Sequence, residues 1–207
     1  MLSVRNCSLS HGPRPLLRNI SFDAPAGEII TLMGPSGAGK SSFLNWAVGA
    51  LPAAFTAEGE LWLNGERRDT LPIERRRIGI LFQDALLFPH LNVLQNLLMA
   101  IPAELKGAAL RRELAEQALA GAGLGGFASR DPATLSGGER ARISVLRALL
   151  AKPEALLLDE PFSRLDLPLR AQFREFVWEA CRQQSLPVVL VTHDPQDVPP
   201  GGKIITL

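Results

Sequence analysis

Short apolar runs, separated by turn-forming residues, dominate the first part of the chain. They lie at residues 2–9, 19–23 and 28–33, with glycine and proline between them. Short apolar runs bounded in this way predict β-strands. Two further strands are predicted at residues 60–65, which end in an Asn-Gly hairpin dipeptide, and at residues 78–82.

The middle of the chain has a different pattern, with residue types and apolar spacing typical of helices. Residues 92–99 and 104–121 are rich in Ala, Leu, Glu and Arg, and Pro102 lies between them. These segments predict a helical insertion between two strand-containing halves. After the insertion, Ser136 is predicted to cap a helix that ends near Ala151.

The last part of the chain returns to alternating strands and helices. Residues 155–158 are apolar without interruption, as in a parallel strand that is buried on both faces. A helix is predicted at residues 169–184, and strands are predicted at residues 188–192 and 203–207. This alternation predicts an α/β sheet with a helical lobe.

Composition narrows the function classes without selecting one. The net charge of +1 over 207 residues gives no strong field for a polyanion, and the arginine runs at residues 67–68 and 75–77 fit a solvated face. Cys7 and Cys181 lie far apart without disulfide or metal-ligand spacing, which fits a reducing compartment. The chain shows no export signal and no long apolar run, so a cytoplasmic location is predicted.

A glycine-rich loop separates the strand at residues 28–33 from a helix predicted at residues 40–49. Residues 34–41 read Gly-Pro-Ser-Gly-Ala-Gly-Lys-Ser and fit the phosphate-loop pattern. The glycines allow backbone N–H groups to face a phosphate, Lys40 adds a positive charge, and the Ser41 hydroxyl can bind Mg²⁺. The alternative is a glycine-rich turn with an unrelated lysine, which the strand before and the helix after disfavour.

Two further patterns support phosphate chemistry. Asp159 and Glu160 follow the buried strand, where an ionised carboxylate must be paired or bound to a metal. Asp159 can hold Mg²⁺ through water, and Glu160 can accept a proton from an attacking water. Ser136 is followed by two glycines at the start of a helix, where glycine lowers helix stability. The close approach of a phosphate to the backbone would explain why glycine is present there. One nucleotide needs only one glycine-rich helix start of this kind. The second one therefore indicates that two copies of the chain share their nucleotides.

In their order along the chain, these patterns resemble the nucleotide-binding subunits of ATP-binding cassette (ABC) transporters over nearly the whole length. The counterparts of the family's motifs are the Walker A loop at residues 34–41, the Q-loop Gln83, the signature at residues 135–139, Walker B at residues 156–159, the D-loop at residues 163–166 and the switch His193. Residues 59–64, 82–88 and 131–135 most resemble the bacterial YnjD-like group.

The resemblance implies the fold class and domain organisation of an ABC ATPase. The α/β fold would be a phosphate-loop NTPase core with a parallel central sheet, an antiparallel β subdomain and a helical insertion. The core and β subdomain would span about residues 1–83 and 131–207, and the helical subdomain about residues 84–130, within a single ATP-binding domain over residues 1–207. ATP and Mg²⁺ are the implied cofactors, and ATP hydrolysis is the implied activity.

The resemblance also implies the site residues. Glu160 would polarise the attacking water, His193 would contact the γ-phosphate, and Gln83 would sense Mg²⁺ and the water. The expected metal-binding residues are Ser41, Gln83 and Asp159. The expected nucleotide-binding residues are Gly34, Pro35, Ser36, Gly37, Ala38, Gly39, Lys40, Ser41, Ser42, His11, Ser136, Gly137, Gly138, Glu139 and Asp166.

Four positions depart from the family's pattern. The chain has no tyrosine, so His11 stands where an aromatic side chain usually stacks on adenine, and an ordinary loop histidine remains an equal alternative. Glu139 replaces the usual signature glutamine, Ser42 replaces a common threonine, and Arg164 replaces a small residue of the D-loop. None of these changes removes an essential group, so an active ATPase is expected.

The implied partners are a second copy of the chain, with ATP at the interface, and integral-membrane permease subunits. Residues 85–91 would dock a cytoplasmic helix of the permease, although ordinary packing explains about half of their side chains. An extracytoplasmic solute-binding protein is expected indirectly, no nucleic acid is expected, and the location would be peripheral, on the cytoplasmic face of the inner membrane.

Two other functions fit the sequence less well. A soluble ABC ATPase that remodels a nucleic-acid or ribosome complex is the alternative, but such proteins typically carry long coiled-coil insertions or two cassettes. A phosphate-loop kinase or GTPase would not explain the signature at residues 135–139, and the guanine motif of GTPases is not found.

Overall fold

A computed structural model describes residues 1–207 and divides the chain into two compact units. The first unit contains residues 1–80, 154–160 and 178–207, and the second contains residues 81–153 and 161–177. The division between a core and a helical subdomain that the sequence implies stays a prediction.

The helices and strands follow one another as the sequence patterns predict, with several changes at their ends. In chain order they are β1 (Leu2–His11), β2 (Arg14–Ala24), β3 (Ile29–Met33), α1 (Lys40–Val48), β4 (Phe55–Leu63), β5 (Glu66–Arg67), β6 (Ile78–Leu81), α2 (Val93–Leu98), α3 (Ala108–Gly121), α4 (Gly137–Leu150), β7 (Ala155–Asp159), α5 (Leu167–Gln183), β8 (Val188–Thr192) and β9 (Lys203–Thr206).

Several elements begin at other residues than the sequence predicts. β2 and β4 both start earlier, at Arg14 and Phe55, because antiparallel pairing with β1 satisfies backbone groups beyond the apolar runs. α3 starts later than predicted, since Gly107 precedes it with a φ of 103°, which is not helical. Differences of a few residues are expected at the boundaries of strands and helices, because contacts in the fold as well as the local sequence pattern set these boundaries.

The first unit contains an antiparallel sheet with the order β2-β1-β4-β5. The predicted Asn-Gly hairpin joins β4 to β5, and both Asn64 and Gly65 have positive φ values of 53° and 83°. A two-residue turn with positive φ at both positions matches the right-handed twist of the paired strands.

A second sheet has the order β6-β7-β8-β3-β9. β3 pairs in parallel with β8 and β9, and β7 pairs in parallel with β8. Four of the five residues of β7 and all five of β8 are buried, which explains why the two strands are almost entirely apolar. The register places Met33 opposite Thr192, and Asp159 opposite Val191, so β3, β7 and β8 end at the same edge.

Helix α1 is fixed against this part of the molecule by its buried side chains and at its C-terminal end. Phe43 and Leu44 are fully buried in the hydrophobic core that the two sheets share. At the C-terminal end, the guanidinium of Arg76 donates hydrogen bonds to the carbonyls of Trp46 (2.6 Å) and Ala47 (3.0 Å). A cation at this end satisfies free carbonyls and complements the helix dipole.

The second unit is helical and has its own core, formed mainly by α2, α3 and α4. Leu97, Leu119 and Ile143 come from these three helices and are almost completely buried together. The buried Asn96 of α2 accepts a hydrogen bond from the Phe88 N–H and donates to the Phe88 carbonyl, so it holds the segment before the helix. No helix of the chain is both long enough and apolar enough to cross a membrane.

Candidate active site

The loop between β3 and α1 leaves the start of α1 open to an anion. Gly37 and Gly39 have φ values of 80° and 89°, which glycine adopts without strain. Gly39 precedes the helix without a side-chain cap, and the first turn contains no acidic residue. No side chain of the chain itself caps the start of α1, so the first N–H groups of the helix and its positive end are available to an anion.

Lys40 brings a full positive charge to this loop. Its side chain is only 6 % exposed, and Nζ donates hydrogen bonds to the carbonyl oxygens of Gly34 (2.7 Å) and Pro35 (2.9 Å). Neutral carbonyls orient the ammonium group without cancelling its charge. A buried charge in this setting favours a bound anion.

Ser41 and Asp159 meet beside the loop. The Ser41 hydroxyl donates a hydrogen bond to Asp159 Oδ1 at 3.2 Å. Burial raises the pKa of the Asp159 carboxyl, and the charge of Glu160 acts in the same direction, while the Ser41 hydrogen bond and Lys40 oppose it. A bound cation would relieve this unfavourable burial of a negative charge.

The oxygen atoms of Ser41 and Asp159 fit Mg²⁺ chemically. No group of three or more His, Cys, Asp or Glu side chains forms a metal cage in the chain. Mg²⁺ is usually held by one or two protein oxygens together with phosphate oxygens and water. The pair therefore fits a metal ion that is bound jointly with a nucleotide.

Glu160 and His193 are adjacent at the same edge of the sheet. His193 Nδ1 lies 3.1 Å from Glu160 Oε1, and the Glu160 N–H donates to the Val191 carbonyl at 2.9 Å. Glu160 has a φ of 46°, a conformation that costs energy for a residue other than glycine. Strain of this kind is concentrated at functional sites, where surrounding structure maintains it.

His11 lies at the end of β1 and contacts a residue that the sequence patterns did not indicate. Its ring centroid is 4.7 Å from that of Phe55, because β1 and β4 pair these two residues directly. β2, which follows β1 in the chain, carries Leu16, whose Cβ lies 3.0 Å from where a Cβ on Gly39 would stand. The β1–β2 hairpin thus approaches the phosphate loop, although adenine stacking by His11 stays a prediction.

The signature residues start α4 in the second unit. The Ser136 hydroxyl accepts a hydrogen bond from the Glu139 N–H (3.3 Å), and Glu139 Oε2 accepts one from the Ser136 N–H (2.7 Å). The backbone hydrogen bond from Ser136 is the main cause that lowers the pKa of the Glu139 carboxyl. Since the Ser136 hydroxyl acts here as an acceptor, its own hydrogen can still be donated to a ligand.

Gln83 and the D-loop lie together in the second unit. Gln83 Nε2 donates to Ser163 Oγ at 3.0 Å, and the adjacent Asp84 forms an ion pair with Arg164. Asp166 Oδ1 accepts a hydrogen bond from the Leu169 N–H at 3.0 Å, so this carboxylate caps the start of α5. The ion pair gives Arg164, the departure from the family's D-loop pattern, a defined partner.

Arg147 of α4 holds the segment after Gln83. Its guanidinium donates hydrogen bonds to the carbonyls of Leu86 (2.8 Å) and Ala85 (3.1 Å), and burial lowers its pKa. Leu86 has a φ of 44° and is 56 % exposed, so the segment presents an apolar side chain outward. No local sequence signal identifies Arg147, because its partners lie far away along the chain.

The structure divides the predicted site residues between the two units. The first unit contains His11, the phosphate loop at residues 34–42, Asp159, Glu160 and His193, and all of these except His11 lie at the carboxyl edge of the parallel sheet or directly after it. The second contains Gln83, residues 136–139 and Asp166. A strand, glycine loop and helix with a nearby Asp-Glu pair define a nucleotide-binding protein of the phosphate-loop class.

Comparison with known proteins narrows this class to one family. Residues 17–163 match the ABC transporter family. The chain belongs to this family and is an ATP-binding, ATP-hydrolysing subunit. The resemblance, the fold class and the activity that the sequence implies are thereby confirmed.

Curated relatives and a solved structure agree with this assignment. The chain is 56 % identical over 207 residues to the uncharacterized ABC transporter ATP-binding protein YnjD of Escherichia coli K12, covering all of this chain and 95 % of the relative. It is 40 % identical over 198 residues to the thiamine import ATP-binding protein ThiQ of Haemophilus influenzae Rd, covering 96 % and 90 %. The dimeric ATP-binding cassette MJ0796, in a post-hydrolysis state with ADP and Pi, has a TM-score of 0.81 and 30 % identity, covering all of this chain and 94 % of the other.

Proposed function

We propose that two copies of this chain bind Mg-ATP between them and drive solute import through integral-membrane permease subunits. The proteins would act peripherally at the cytoplasmic face of the inner membrane, with an extracytoplasmic solute-binding protein as an indirect partner. The observation that carries the proposal is the presence of two glycine-rich helix starts, at α1 and α4, where one nucleotide needs only one. The dimeric neighbour and the import protein ThiQ support this reading and favour it over remodelling of a nucleic-acid or ribosome complex.

The residues of the first unit would perform the chemistry. Lys40 and the N–H groups of the phosphate loop bind the phosphates, and the Ser41 and Asp159 oxygens hold Mg²⁺. The metal ion, when bound, neutralises phosphate charge. Glu160 accepts the proton of the attacking water, and His193 orients this carboxylate and contacts the γ-phosphate. His11 stacks on the adenine.

The residues of the second unit have proposed roles of their own. Gln83 is proposed to contact the metal ion and the attacking water through its amide oxygen, because its Nε2 donates to Ser163. Ser136, Gly137 and Gly138 bind the γ-phosphate of the ATP held by the other copy. Glu139 and Asp166 cap α4 and α5 and would lie beside this contact.

The docking surface for the permease is proposed to lie in the segment that follows Gln83. Leu86 and Phe88 are 56 % and 41 % exposed and lie two positions apart in this segment. Arg147 and Asn96 hold the backbone of this segment. Exposed apolar side chains on a fixed backbone are typical of a protein interface.

The shared site can be tested with a variant that binds ATP but does not hydrolyse it. Mg-ATP added to Glu160→Gln protein is expected to convert monomer to dimer, measured by light scattering after size exclusion, whereas Mg-ADP is not. Adding Ser136→Arg should abolish the dimer and leave one ATP per chain, because the larger side chain blocks the approach of the second copy. A monomer at saturating Mg-ATP, or a dimer indifferent to Ser136→Arg, contradicts the shared site.

The permease partner needs a separate test. Affinity purification of the tagged chain from native membranes is expected to recover a polytopic membrane protein. Leu86→Asp should reduce that recovery while ATP binding is retained, because a charge would be placed in the apolar contact. Recovery of ribosomal or nucleic-acid-bound proteins instead would favour the soluble alternative.

A further inference from the structure

The two glycines of the signature are in different environments. Gly137 is exposed, and a Cβ atom on it would meet nothing within 4 Å. Gly138 is buried, and a Cβ atom on it would lie 2.5 Å and 2.8 Å from the two terminal carbons of Leu169 and 3.0 Å from its Cγ. Packing against Leu169 therefore leaves no room for a side chain at position 138, whereas no neighbour in the chain excludes a side chain at position 137.

Leu169 is in turn held in place by its own surroundings. Its N–H donates to the Asp166 carboxylate at 3.0 Å, which fixes the first turn of α5. One turn later Phe173 is 1 % exposed and makes an edge contact with Phe162, with ring centroids 5.8 Å apart. The start of α4 thus packs against a first turn of α5 that Asp166 caps and that leads into a buried phenylalanine.

We propose that Leu169 is a positioning residue for the signature motif. Its side chain fills the space that Gly138 leaves open and sets the position of the N-terminal turn of α4, including the Ser136 hydroxyl. The inference rests on the proposed shared ATP site, because the signature acts only on the nucleotide of the other copy. It assigns a role to a D-loop-adjacent leucine that is not expected to touch ATP.

Removal of the Leu169 side chain should separate two properties of the protein. ATP binding to a single chain depends on α1 and the phosphate loop, so Leu169→Ala leaves it unchanged. Closure of the dimer depends on the signature, so the variant needs about tenfold more Mg-ATP for dimer formation in the Glu160→Gln background. In the hydrolysing protein, kcat falls while KM for ATP changes little.

Two matched variants distinguish positioning from a general loss of stability. Leu167→Ala removes a leucine from the same turn of α5, but this side chain is 71 % exposed, so dimer formation should stay at the reference level. Leu169→Met keeps the volume and restores dimer formation to within about twofold of the reference. Equal effects of Leu167→Ala and Leu169→Ala, or no rescue by methionine, would overturn the assignment.

Coupling between the two residues is tested with Gly138→Ala. The added methyl displaces the Leu169 side chain, so Gly138→Ala and Leu169→Ala disturb the same contact. The fold increase in the Mg-ATP concentration needed for dimer formation should therefore be smaller in the double variant than the product of the increases in the two single variants. Such non-additivity is expected for residues in contact. If the increase in the double variant equals the product of the two single increases, Gly138 and Leu169 act independently, which contradicts the inference.

Hydrogen exchange provides a readout that does not depend on the dimer. In nucleotide-free protein, Leu169→Ala should increase exchange at the start of α4, around residues 138–141, and leave residues 41–48 of α1 unchanged. If the reference protein does not dimerise with Mg-ATP, the shared site fails, while the exchange result still decides the role of Leu169. Unchanged exchange at the start of α4 would overturn that role.

Discussion

The starts of α1 and α4 are both rich in glycine, yet the chain treats them differently. α1 begins without a side-chain cap, without an acidic residue in its first turn, and with a buried lysine. α4 begins with a capping box in which Ser136 and Glu139 satisfy each other's backbone N–H groups. The open helix start is suited to bind phosphate by itself, whereas the capped one keeps a stable shape and, in the proposed dimer, would contribute only when the other copy brings a phosphate to it.

The largest expected effect concerns hydrolysis in the first unit. Glu160→Gln removes the proposed base but leaves the phosphate loop intact, so ATP binding persists and turnover falls by about 10²–10⁴. Phosphate release at saturating Mg-ATP measures the loss, and thermal shift by the nucleotide serves as the binding control. Turnover within a factor of a few of the parent protein would remove Glu160 from this role.

Binding at the start of α1 should depend strongly on Lys40. A ligand at 100 times its Kd stabilises a protein by about 2.7 kcal/mol, which raises Tm by roughly 5–10 °C in a chain of this size. Mg-ATP should produce this increase in the parent protein and little of it in Lys40→Ala. Equal increases in both proteins would contradict the assignment of residues 34–41 as the phosphate loop.

Asp159→Asn should make the nucleotide-free protein more stable. Burial raises the pKa of this carboxyl, so its ionised form costs stability at pH 7, and the cost disappears when acid protonates the group. Asparagine removes the charge and can still accept the Ser41 hydrogen bond. We expect Tm to rise by roughly 2–4 °C, the shift for 1 kcal/mol in a chain of 150–250 residues.

The same comparison must be repeated in acid and with ligand. Near the low end of the stable pH range the Tm difference between Asp159→Asn and the parent should shrink, because both side chains are then neutral. Mg-ATP should stabilise the variant less than the parent protein. A lower Tm for nucleotide-free Asp159→Asn at pH 7 would show that the carboxylate is favourable where it lies.

The smallest effect is expected at the start of α4. The pKa of Glu139 is lowered by the Ser136 N–H, so the residue is ionised and its charge opposes phosphate at this helix end. Glu139→Gln keeps the capping box and removes the charge. In the Glu160→Gln background it should lower the Mg-ATP concentration for dimer formation by about two- to fivefold, equivalent to 0.3–1 kcal/mol. An unchanged or higher requirement would mean that the charge does not face phosphate.

Local patterns were sufficient for much of this molecule. The strand, glycine loop and helix around residues 34–41 are contiguous, so spacing alone predicts the loop, and the uncapped start of α1 agrees with it. The apolar runs of β7 and β8 predict a buried parallel sheet, which the structure contains. The roles of the individual site residues remain predictions.

Contacts between distant residues could not be predicted in this way. The pairing of β1 with β4 brings Phe55 to His11, and the Asp84–Arg164 ion pair joins residues 80 positions apart. The signature glycines could not be told apart from the sequence either, which explains both of them by the close approach of a phosphate. In the structure, Leu169 gives a packing reason for the glycine at 138 but not for the one at 137.

The sequence by itself therefore determined the family, the order of the motifs and the chemical groups available, because these depend on residue type and on spacing within single elements. Only the tertiary structure decided which side chains orient those groups, as with Ser163 on Gln83, Arg147 on Leu86 and Leu169 against Gly138. The physical reason is that such contacts require strand register and helix packing between segments far apart in the chain, which no local pattern encodes.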